Sequence, residues 1–218
     1  FDGTDPSSVH GGRMSLYGKP KGKLVRRFGT NIFSNRKFDR LLERKPNLPG
    51  KDRNRRYRER ISEYRKQLEE KQKLMFAYGL NARQMERLYR EAHRRKGVTT
   101  DNILRMLELR LDSVVYNAGF AATRAQARQM VNHRHIAVND RTVDIPSYQV
   151  KRGARIAVKD KKGVRTMARN ALDASGAGQP DWIRADADAL EATVVDEPGL
   201  HDFPQFCDAR MVVEFYSR

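Results

Sequence analysis

The first regular pattern along the chain is a stripe of apolar residues that recur seven positions apart. It contains Ile61, Leu68 and Met75, and this spacing places the three side chains on one face of an α-helix. Gly79 follows, a residue that readily adopts the left-handed conformation in which many helices end. The pattern therefore predicts a helix from about residue 56 to residue 78, with one buried face.

Two further helices follow, and each has a start signal. Asn81 and Gln84 have the spacing of a capping box, in which each side chain accepts a hydrogen bond from the other residue's backbone N–H. Asp101 is predicted to cap the third helix, and Gly119 to end it. Because apolar side chains recur at helical spacing in both segments, these helices are predicted to form a helical core.

A short helix and a small sheet are predicted after Gly119. Thr123 and Gln126 repeat the capping-box spacing. The strand-like runs HIAV and RTV flank Asn139 and Asp140, which tolerate the positive φ of a tight turn. IPSYQV and ARIAV are two more strand-like runs. The fold class predicted from these elements is α+β, with a mainly helical domain beside a small module of two helices and a short sheet.

The segments on either side of these elements lack such a pattern. Residues 14–55 are rich in Gly, Lys, Arg and Pro, and they predict an extended basic arm that becomes ordered only on a polyanion. The alternative is a solvated linker without a binding role. Residues 173–192, rich in Ala, Asp and Gly, are predicted to be weakly structured, whereas the final ARMVVEFYSR is typical of a strand or a docking segment.

The net charge indicates which class of molecule the chain binds. The 44 Lys and Arg residues outnumber the 27 Asp and Glu residues, which gives a net charge of +17. Such an excess is unfavourable in a compact chain and is typical of proteins that bind a polyanion, either nucleic acid or an anionic membrane surface. No apolar run is long enough to cross a membrane, so the sequence favours nucleic acid and predicts no membrane role.

The charge is also uneven along the chain. Residues 1–172 carry 41 basic and 17 acidic residues, a net +24, whereas residues 173–218 carry 3 and 10, a net −7. This contrast suggests a tail that folds back on the basic body. The predicted parts are a disordered leader (1–13), the basic arm (14–55), a helical domain (56–108), the small module (109–172) and an acidic C-terminal segment (173–218) that docks on the helical domain and completes it.

The sequence contains little that would support catalysis or metal binding. Cys207 is the single cysteine, which excludes an intrachain disulfide framework and a multi-cysteine zinc site. His133 and His135 are expected to point to opposite faces of a strand, and no third ligand has a suitable spacing. Nucleophile, phosphate-loop and dinucleotide motifs do not occur. We therefore expect no metal and no cofactor, and predict that the chain is not an enzyme.

A cationic surface is predicted around the short helix. Arg124 and Arg128 are four residues apart and share a face, and no acidic residue occurs from 113 to 139. Thr123 caps a helix end that offers free N–H groups to a phosphate. Such a surface suits shaped RNA, although an ordinary solvated helix face is the alternative. The residues predicted to bind RNA are Thr123, Arg124, Arg128, Asn132, His133, Arg134 and His135, with Arg26, Arg27, Lys51, Arg53, Arg55, Arg56 and Arg58 in and beside the arm.

Longer stretches resemble a known family. Residues 110–158, RLDSVVYNAGFAATRAQARQMVNHRHIAVNDRTVDIPSYQVKRGARIAV, resemble the S4-type RNA-binding module, named after the fourth protein of the small ribosomal subunit. Segments typical of that ribosomal family itself are LVRRFG (24–29), LPGKD (48–52), SEYRKQLEEKQKLMFAYGL (62–80), KGVTTDNILRMLELRLD (96–112) and VEFYSR (213–218). The chain departs from the family in residues 173–208, and it lacks the four-cysteine zinc site that several relatives hold in the arm.

The resemblance implies a structural protein of the small ribosomal subunit. Such proteins are primary binders of a multi-helix junction in the 5′ domain of the ribosomal RNA, nucleate assembly of the subunit body and influence translational accuracy. The resemblance implies a place beside the fifth small-subunit protein, near the channel through which messenger RNA enters, in the bacterial cytoplasm or in an organelle. The RNA-contacting residues it implies are Arg110, Thr123, Arg124, Arg128, Asn132, His133 and His135.

Two other classes of protein carry a similar module. An RNA-modifying enzyme would need a large catalytic domain, and too few residues follow position 172 to form one. A stress-related RNA-binding protein would lack the helical segment 56–108 and the EFYSR end, and both occur here. The sequence therefore favours the structural ribosomal family over both alternatives.

Overall fold

The computed structural model describes residues 20–50, 62–175 and 179–218, which two hydrophobic clusters hold together. The helices are α1 (Lys21–Phe28), α2 (Arg36–Arg44), α3 (Glu63–Ala77), α4 (Ala82–Arg94), α5 (Thr99–Glu108), α6 (Leu111–Asn117), α7 (Arg124–Asn132), α8 (Lys162–Ser175) and α9 (Ala209–Tyr216). The strands are β1 (Ile136–Val138), β2 (Arg141–Thr142), β3 (Arg155–Val158), β4 (Ile183–Asp186) and β5 (Glu191–Val194). The predicted α+β class is confirmed.

The first cluster lies in the helical domain, where α1, α3, α4, α5 and α9 contribute buried side chains. Two local predictions are confirmed there. Asn81 and Gln84 form a complete capping box at the start of α4, and Gly79 ends the preceding helical segment with φ of 63°. The predicted cap of the next helix is wrong, because Val98 occupies the N-cap position of α5 and Asp101 lies in its first turn.

The N-terminal segment differs from the predicted extended arm. Between residues 20 and 50 the chain forms the helices α1 and α2. Leu24, Val25 and Phe28 are buried in the helical cluster. The physical reason is a short apolar stripe at helical spacing, which the high density of basic residues obscures in the sequence. The predicted leader (1–13) and residues 14–19 and 51–55 of the predicted arm lie outside the described residues.

The third predicted helix is divided into α5 and α6. The break occurs because Arg110 forms an isolated antiparallel bridge with Gln149. Next to this bridge, the Val150 N–H donates a hydrogen bond of 2.8 Å to the Leu109 carbonyl. The run IPSYQV forms no named strand in the described structure and contributes only this bridge, so its prediction as a strand is wrong.

The second cluster lies in the module, under an antiparallel sheet of five strands in the order β2-β1-β3-β5-β4. Asn139 and Asp140 form the predicted turn between β1 and β2, with φ of 46° and 65°. The prediction that residues 173–192 are weakly structured is wrong for the described part of this range, 173–175 and 179–192. β5 pairs with β3, and the apolar residues Trp182 and Leu190 are buried in the module cluster.

The acidic C-terminal segment is thus shared between the two clusters. β4 and β5 extend the sheet of the module, whereas α9 packs against α3 of the helical domain. Asp208 caps α9 by accepting a hydrogen bond from the Arg210 N–H. Glu214 on α9 accepts a hydrogen bond of 3.0 Å from Gln67 Nε2 on α3. Only the last part of the segment therefore makes the docking contact that was predicted for the whole of it.

Candidate nucleic-acid interface

The start of α7 is fixed by side chains next to it. Thr123 Oγ1 accepts a hydrogen bond of 3.2 Å from the Gln126 N–H, and Gln126 Oε1 accepts one of 2.9 Å from the Ala122 N–H. The return bond goes to Ala122 and not to Thr123, so the predicted capping box is only half formed. The first N–H groups of a helix have no intrahelical acceptor, and the helix dipole is positive there. This end of α7 is therefore positively polarised, and phosphate binding there stays a prediction.

Arg124, which was predicted to lie on an open RNA-binding face, is largely inside the protein. Its side chain is 23% exposed, and Nη2 donates a hydrogen bond of 3.1 Å to Glu108 Oε1. The guanidinium carbon lies 4.5 Å from the centre of the Tyr78 ring and 4.6 Å from that of Tyr116. Burial, the largest single effect, lowers the pKa of Arg124, but the interactions with Glu108, Tyr78, Tyr116 and Asp112 together outweigh it, and the pKa lies above its ordinary value.

Glu108 is the buried centre of this arrangement, which we call the Arg124 cluster (Tyr78, Glu108, Tyr116, Asn117 and Arg124). The carboxylate also accepts hydrogen bonds from the Tyr78 hydroxyl and, at 2.6 Å, from Asn117 Nδ2. Burial raises the pKa of Tyr78 well above its ordinary value, with a further contribution from Glu108, so the phenol remains a donor. The cluster joins the end of α3 to α5, α6 and α7, and therefore fixes the module on the helical domain.

Arg110 and Arg128 also have partners inside the protein. Arg110 is 4% exposed, and its Nε and Nη2 donate hydrogen bonds of 3.0 and 2.7 Å to the two carboxylate oxygens of Asp112. This burial corrects the expectation that Arg110 contacts RNA. Arg128 Nη1 donates a hydrogen bond of 3.2 Å to the Gly79 carbonyl and lies 3.5 Å from Asp112. Glu108 and Asp112 precede the acid-free stretch 113–139 in sequence, but the fold brings them back to it.

The far end of α7 is exposed and cationic. Asn132, His133 and Arg134 are exposed, and His135 is half-buried. The expectation that the two histidines point to opposite faces is wrong. Arg134 has φ of 62°, which breaks the strand alternation, and the two imidazole rings lie 5.9 Å apart at a steep angle. Arg134 itself lies 3.0 Å from Asp144 in an exposed ion pair.

Two lysines after β3 extend this surface. Lys159 and Lys161 are exposed, and the Lys159 N–H donates a hydrogen bond of 2.9 Å to the His135 carbonyl. Burial, together with the charges of Lys161, His133 and Lys159, lowers the pKa of His135. We call His133, His135, Lys159 and Lys161 the histidine patch. The two lysines were missed from the sequence, although the run KDKKG directly after a strand was a usable signal.

Of the predicted RNA-binding residues near the N-terminus, Arg26 and Arg27 belong to the described part of the chain. Arg26 holds the chain after α2, because its Nε and Nη2 donate hydrogen bonds of 3.0 and 3.2 Å to the carbonyls of Asn47 and Leu48. Arg27 is exposed and lies over the Phe28 ring at 5.5 Å. Five further predicted RNA-binding residues lie outside the described residues: Lys51, Arg53, Arg55, Arg56 and Arg58.

A cleft of about 210 Å³ lies between the α1–α2 segment and the start of α7. Lys21, Lys37 and Arg124 supply cations to its lining, and Phe33 and Phe38 supply aromatic rings 5.5 Å apart. The two phenylalanines and the two lysines were not predicted as site residues, because the density of basic residues in this segment suggested an extended arm. Aromatic residues interleaved with basic ones were the signal that could have found them.

Residues 20–50, 62–175 and 179–218 contain no group of three or more His, Cys, Asp or Glu side chains that could hold a metal ion. Among the helices formed by these residues, none has both the length and the apolar character needed to cross a membrane.

Comparison with known proteins identifies the family. Residues 17–108 match the family described as ribosomal protein S4/S9 N-terminal domain, and residues 109–156 match the S4 domain. The small ribosomal subunit protein uS4 of Treponema denticola is 46% identical over 200 residues, which cover 92% of this chain and 97% of that protein.

Further relatives agree with this result. The proteins of the same name from Borrelia duttonii and Treponema pallidum are 45% and 43% identical, over 91% and 92% of this chain and 96% and 98% of their own lengths. These names describe structural ribosomal proteins, in agreement with the prediction that the chain is not an enzyme. The chain therefore belongs to the uS4 family of small ribosomal subunit proteins and carries the S4 RNA-binding domain of that family.

Proposed function

We propose that this chain is a structural constituent of the small ribosomal subunit that binds a multi-helix junction in the 5′ domain of the ribosomal RNA and nucleates assembly of the subunit body. The observation that carries the proposal is the histidine patch. It places two exposed lysines beside two imidazoles at the end of the helix α7. His133 and His135 lie within the residues that match the S4 domain, and Lys159 and Lys161 come directly after them. Cations and hydrogen-bonding rings held on a rigid module suit the phosphates and unpaired bases of folded RNA.

The interior cations have a different role in this proposal. Arg110, Arg124 and Arg128 are paired with Asp112 and Glu108, so they mainly hold α7 and the module in position; of the Arg124 nitrogens, Nη1 has no acceptor among the described residues. RNA contact is assigned to Asn132, His133, Arg134, His135, Lys159 and Lys161, to the Thr123 end of α7 and to the exposed Arg27. Lys51, Arg53, Arg55, Arg56 and Arg58 remain proposed contacts from the segment between α2 and α3.

The proposal also includes protein neighbours. The residues after 172 carry a net charge of −7, and the β4–β5 hairpin presents several of these acidic side chains at exposed positions. An acidic surface on an otherwise basic protein suits a basic ribosomal protein. We assign this side to protein contacts, including the fifth small-subunit protein, with a position near the incoming messenger RNA, an influence on translational accuracy and a location on the ribosome.

Direct binding tests the proposed function. The full chain is titrated with the 5′ domain of a bacterial small-subunit ribosomal RNA and with a scrambled RNA of equal length, at several salt concentrations. We expect a strong preference for the ribosomal RNA that persists at physiological salt. Equal and salt-sensitive binding to both RNAs would mean that the chain binds RNA only through its net charge, and the proposed function would then be wrong.

A matched pair of variants tests the assignment to the histidine patch. Lys159→Gln with Lys161→Gln removes two charges from the patch, whereas Lys66→Gln with Lys96→Gln removes two from exposed positions in the helical domain. Each lost phosphate contact lowers the salt slope of binding by about 0.7–0.9. We expect a loss of about 1.5 in the slope for the first variant and little change for the second.

A further inference from the structure

We propose that the cleft between the α1–α2 segment and α7 receives one unpaired nucleotide of the bound RNA. This inference rests on the proposed function and names the part of the RNA that the cleft takes. A volume of about 210 Å³ is smaller than the ~300–1,000 Å³ of sites for drug-sized ligands. The cleft therefore admits a single base and excludes a double helix.

The chemistry of the lining suits both parts of a nucleotide. Three cations line the cleft, Lys21, Lys37 and Arg124, and no acidic side chain lines it, so a phosphate meets no like charge. Lys21 Nζ lies over the Phe33 ring, 5.2 Å from its centre, so a cation covers one face of this ring. Aromatic rings next to cations are the usual combination in sites for single-stranded nucleic acid.

Arg124 and the start of α7 add hydrogen-bond donors. Arg124 Nη1 is buried and has no hydrogen-bond acceptor among the described residues, whereas Nη2 is bonded to Glu108. Thr123 and Arg124 both line the cleft at the N-terminal end of α7, where the helix dipole favours an anion. A base or backbone oxygen in the cleft would satisfy the guanidinium nitrogen that the protein leaves without an acceptor.

The aromatic rings of the cleft are half-buried and reachable. Phe33 and Phe38 pack against the helical cluster from its edge, with ring centres 5.5 Å apart and ring planes inclined at 48°. Because the two rings are inclined, a base can stack fully on only one of them. We assign the stacking contact to Phe33, on the ring face opposite to the one that Lys21 covers.

The test compares two half-buried phenylalanines in the full chain. Phe33→Leu keeps apolar volume but removes the ring, and Phe206→Leu is the matched control, because Phe206 packs against the same core and does not line the cleft. Binding to the 5′-domain RNA should weaken about tenfold for Phe33→Leu, since one stacked base contributes about that factor or more. Phe206→Leu should bind within about twofold of the unchanged chain, with both variants melting at similar temperatures.

A cross-link identifies the nucleotide. A photoreactive phenylalanine analogue is placed at position 33 or, as control, at position 206, and the RNA is mapped by primer extension after irradiation. We expect one strong stop at an unpaired nucleotide for position 33 and none for position 206. Equal affinities of the two leucine variants, or cross-links spread over paired nucleotides, would overturn the cleft proposal. Failure of the unchanged chain to prefer the ribosomal RNA would instead overturn the proposed function, and the cleft proposal with it.

Discussion

Replacing Arg124 with alanine should destabilise the protein much more than replacing an exposed arginine. The change removes the cation that lies against the Tyr78 and Tyr116 rings and leaves the Glu108 side chain, 3% exposed, without its positive partner. Removal of one member of a buried ion pair costs about 3–5 kcal/mol. Because Arg124 keeps some access to solvent, we expect a cost at the lower end of this range, so the free energy of unfolding should fall by about 3 kcal/mol.

Urea unfolding measured by tryptophan fluorescence checks this value. Trp182 is the single tryptophan and is buried in the module cluster. Its emission therefore reports the unfolding of the module, which the Arg124 cluster joins to the helical domain. With a slope of about 2 kcal/mol per M of urea, a loss of 3 kcal/mol lowers the midpoint by about 1.5 M. The control is Arg134→Ala, which breaks an exposed ion pair and should cost no more than about 1 kcal/mol. Equal midpoints for the two variants would refute the reasoning.

A double substitution separates the ion pair from simple loss of volume. Arg124→Met with Glu108→Gln replaces both charges by neutral groups of similar size, so no unpaired charge is left inside. The double variant should be more stable than the sum of the two single changes predicts, by at least about 1 kcal/mol. Additive costs would show that the two side chains do not interact in the folded protein.

Four further changes test other parts of the structure. Leu190→Ala, at a fully buried position of the module cluster, should cost about 3 kcal/mol in urea unfolding measured by Trp182 fluorescence. Val212→Ala, where α9 enters the helical cluster, should cost about 2 kcal/mol and lower the midpoint measured by circular dichroism. Burial lowers the pKa of His135 below 6.5, so its contribution to stability is present above that pH and is lost as the pH falls; His135→Gln should weaken this pH dependence. Removing residues 14–55 should lower the melting temperature, because α1 contributes buried side chains; an unchanged value would mean that the segment acts only as an arm.

Local signals in the sequence were sufficient to predict features in which a residue and its near neighbours determine the backbone conformation. Gly79 and the pair Asn139 and Asp140 adopt positive φ as predicted, and Asn81 with Gln84 forms its capping box. In each case the preference depends on the residue and its near neighbours, not on the tertiary fold. Such features set the bounds of α4 and of the β1–β2 turn.

The wrong and missed predictions concern residues whose structural partners are distant in the sequence. Arg124 looked free because its own stretch contains no acid, but the fold places it on Glu108, 16 residues earlier. β5 pairs with β3, a partner that lies far away in the sequence and that the Ala- and Asp-rich segment before β5 does not indicate. The same applies to Lys159, which reaches the end of α7 only through the pairing of β1 with β3.

Salt dependence distinguishes the two kinds of cation in this protein. Arg110 is buried against Asp112, so it has no counterion to release when RNA binds, and Arg110→Met should weaken binding by disturbing the start of α6 with the salt slope unchanged. Lys159 and Lys161 are exposed, and their removal should change the slope itself. A reduced slope for Arg110→Met would mean that this guanidinium reaches a phosphate after a rearrangement of the module, and RNA binding would then be coupled to a conformational change.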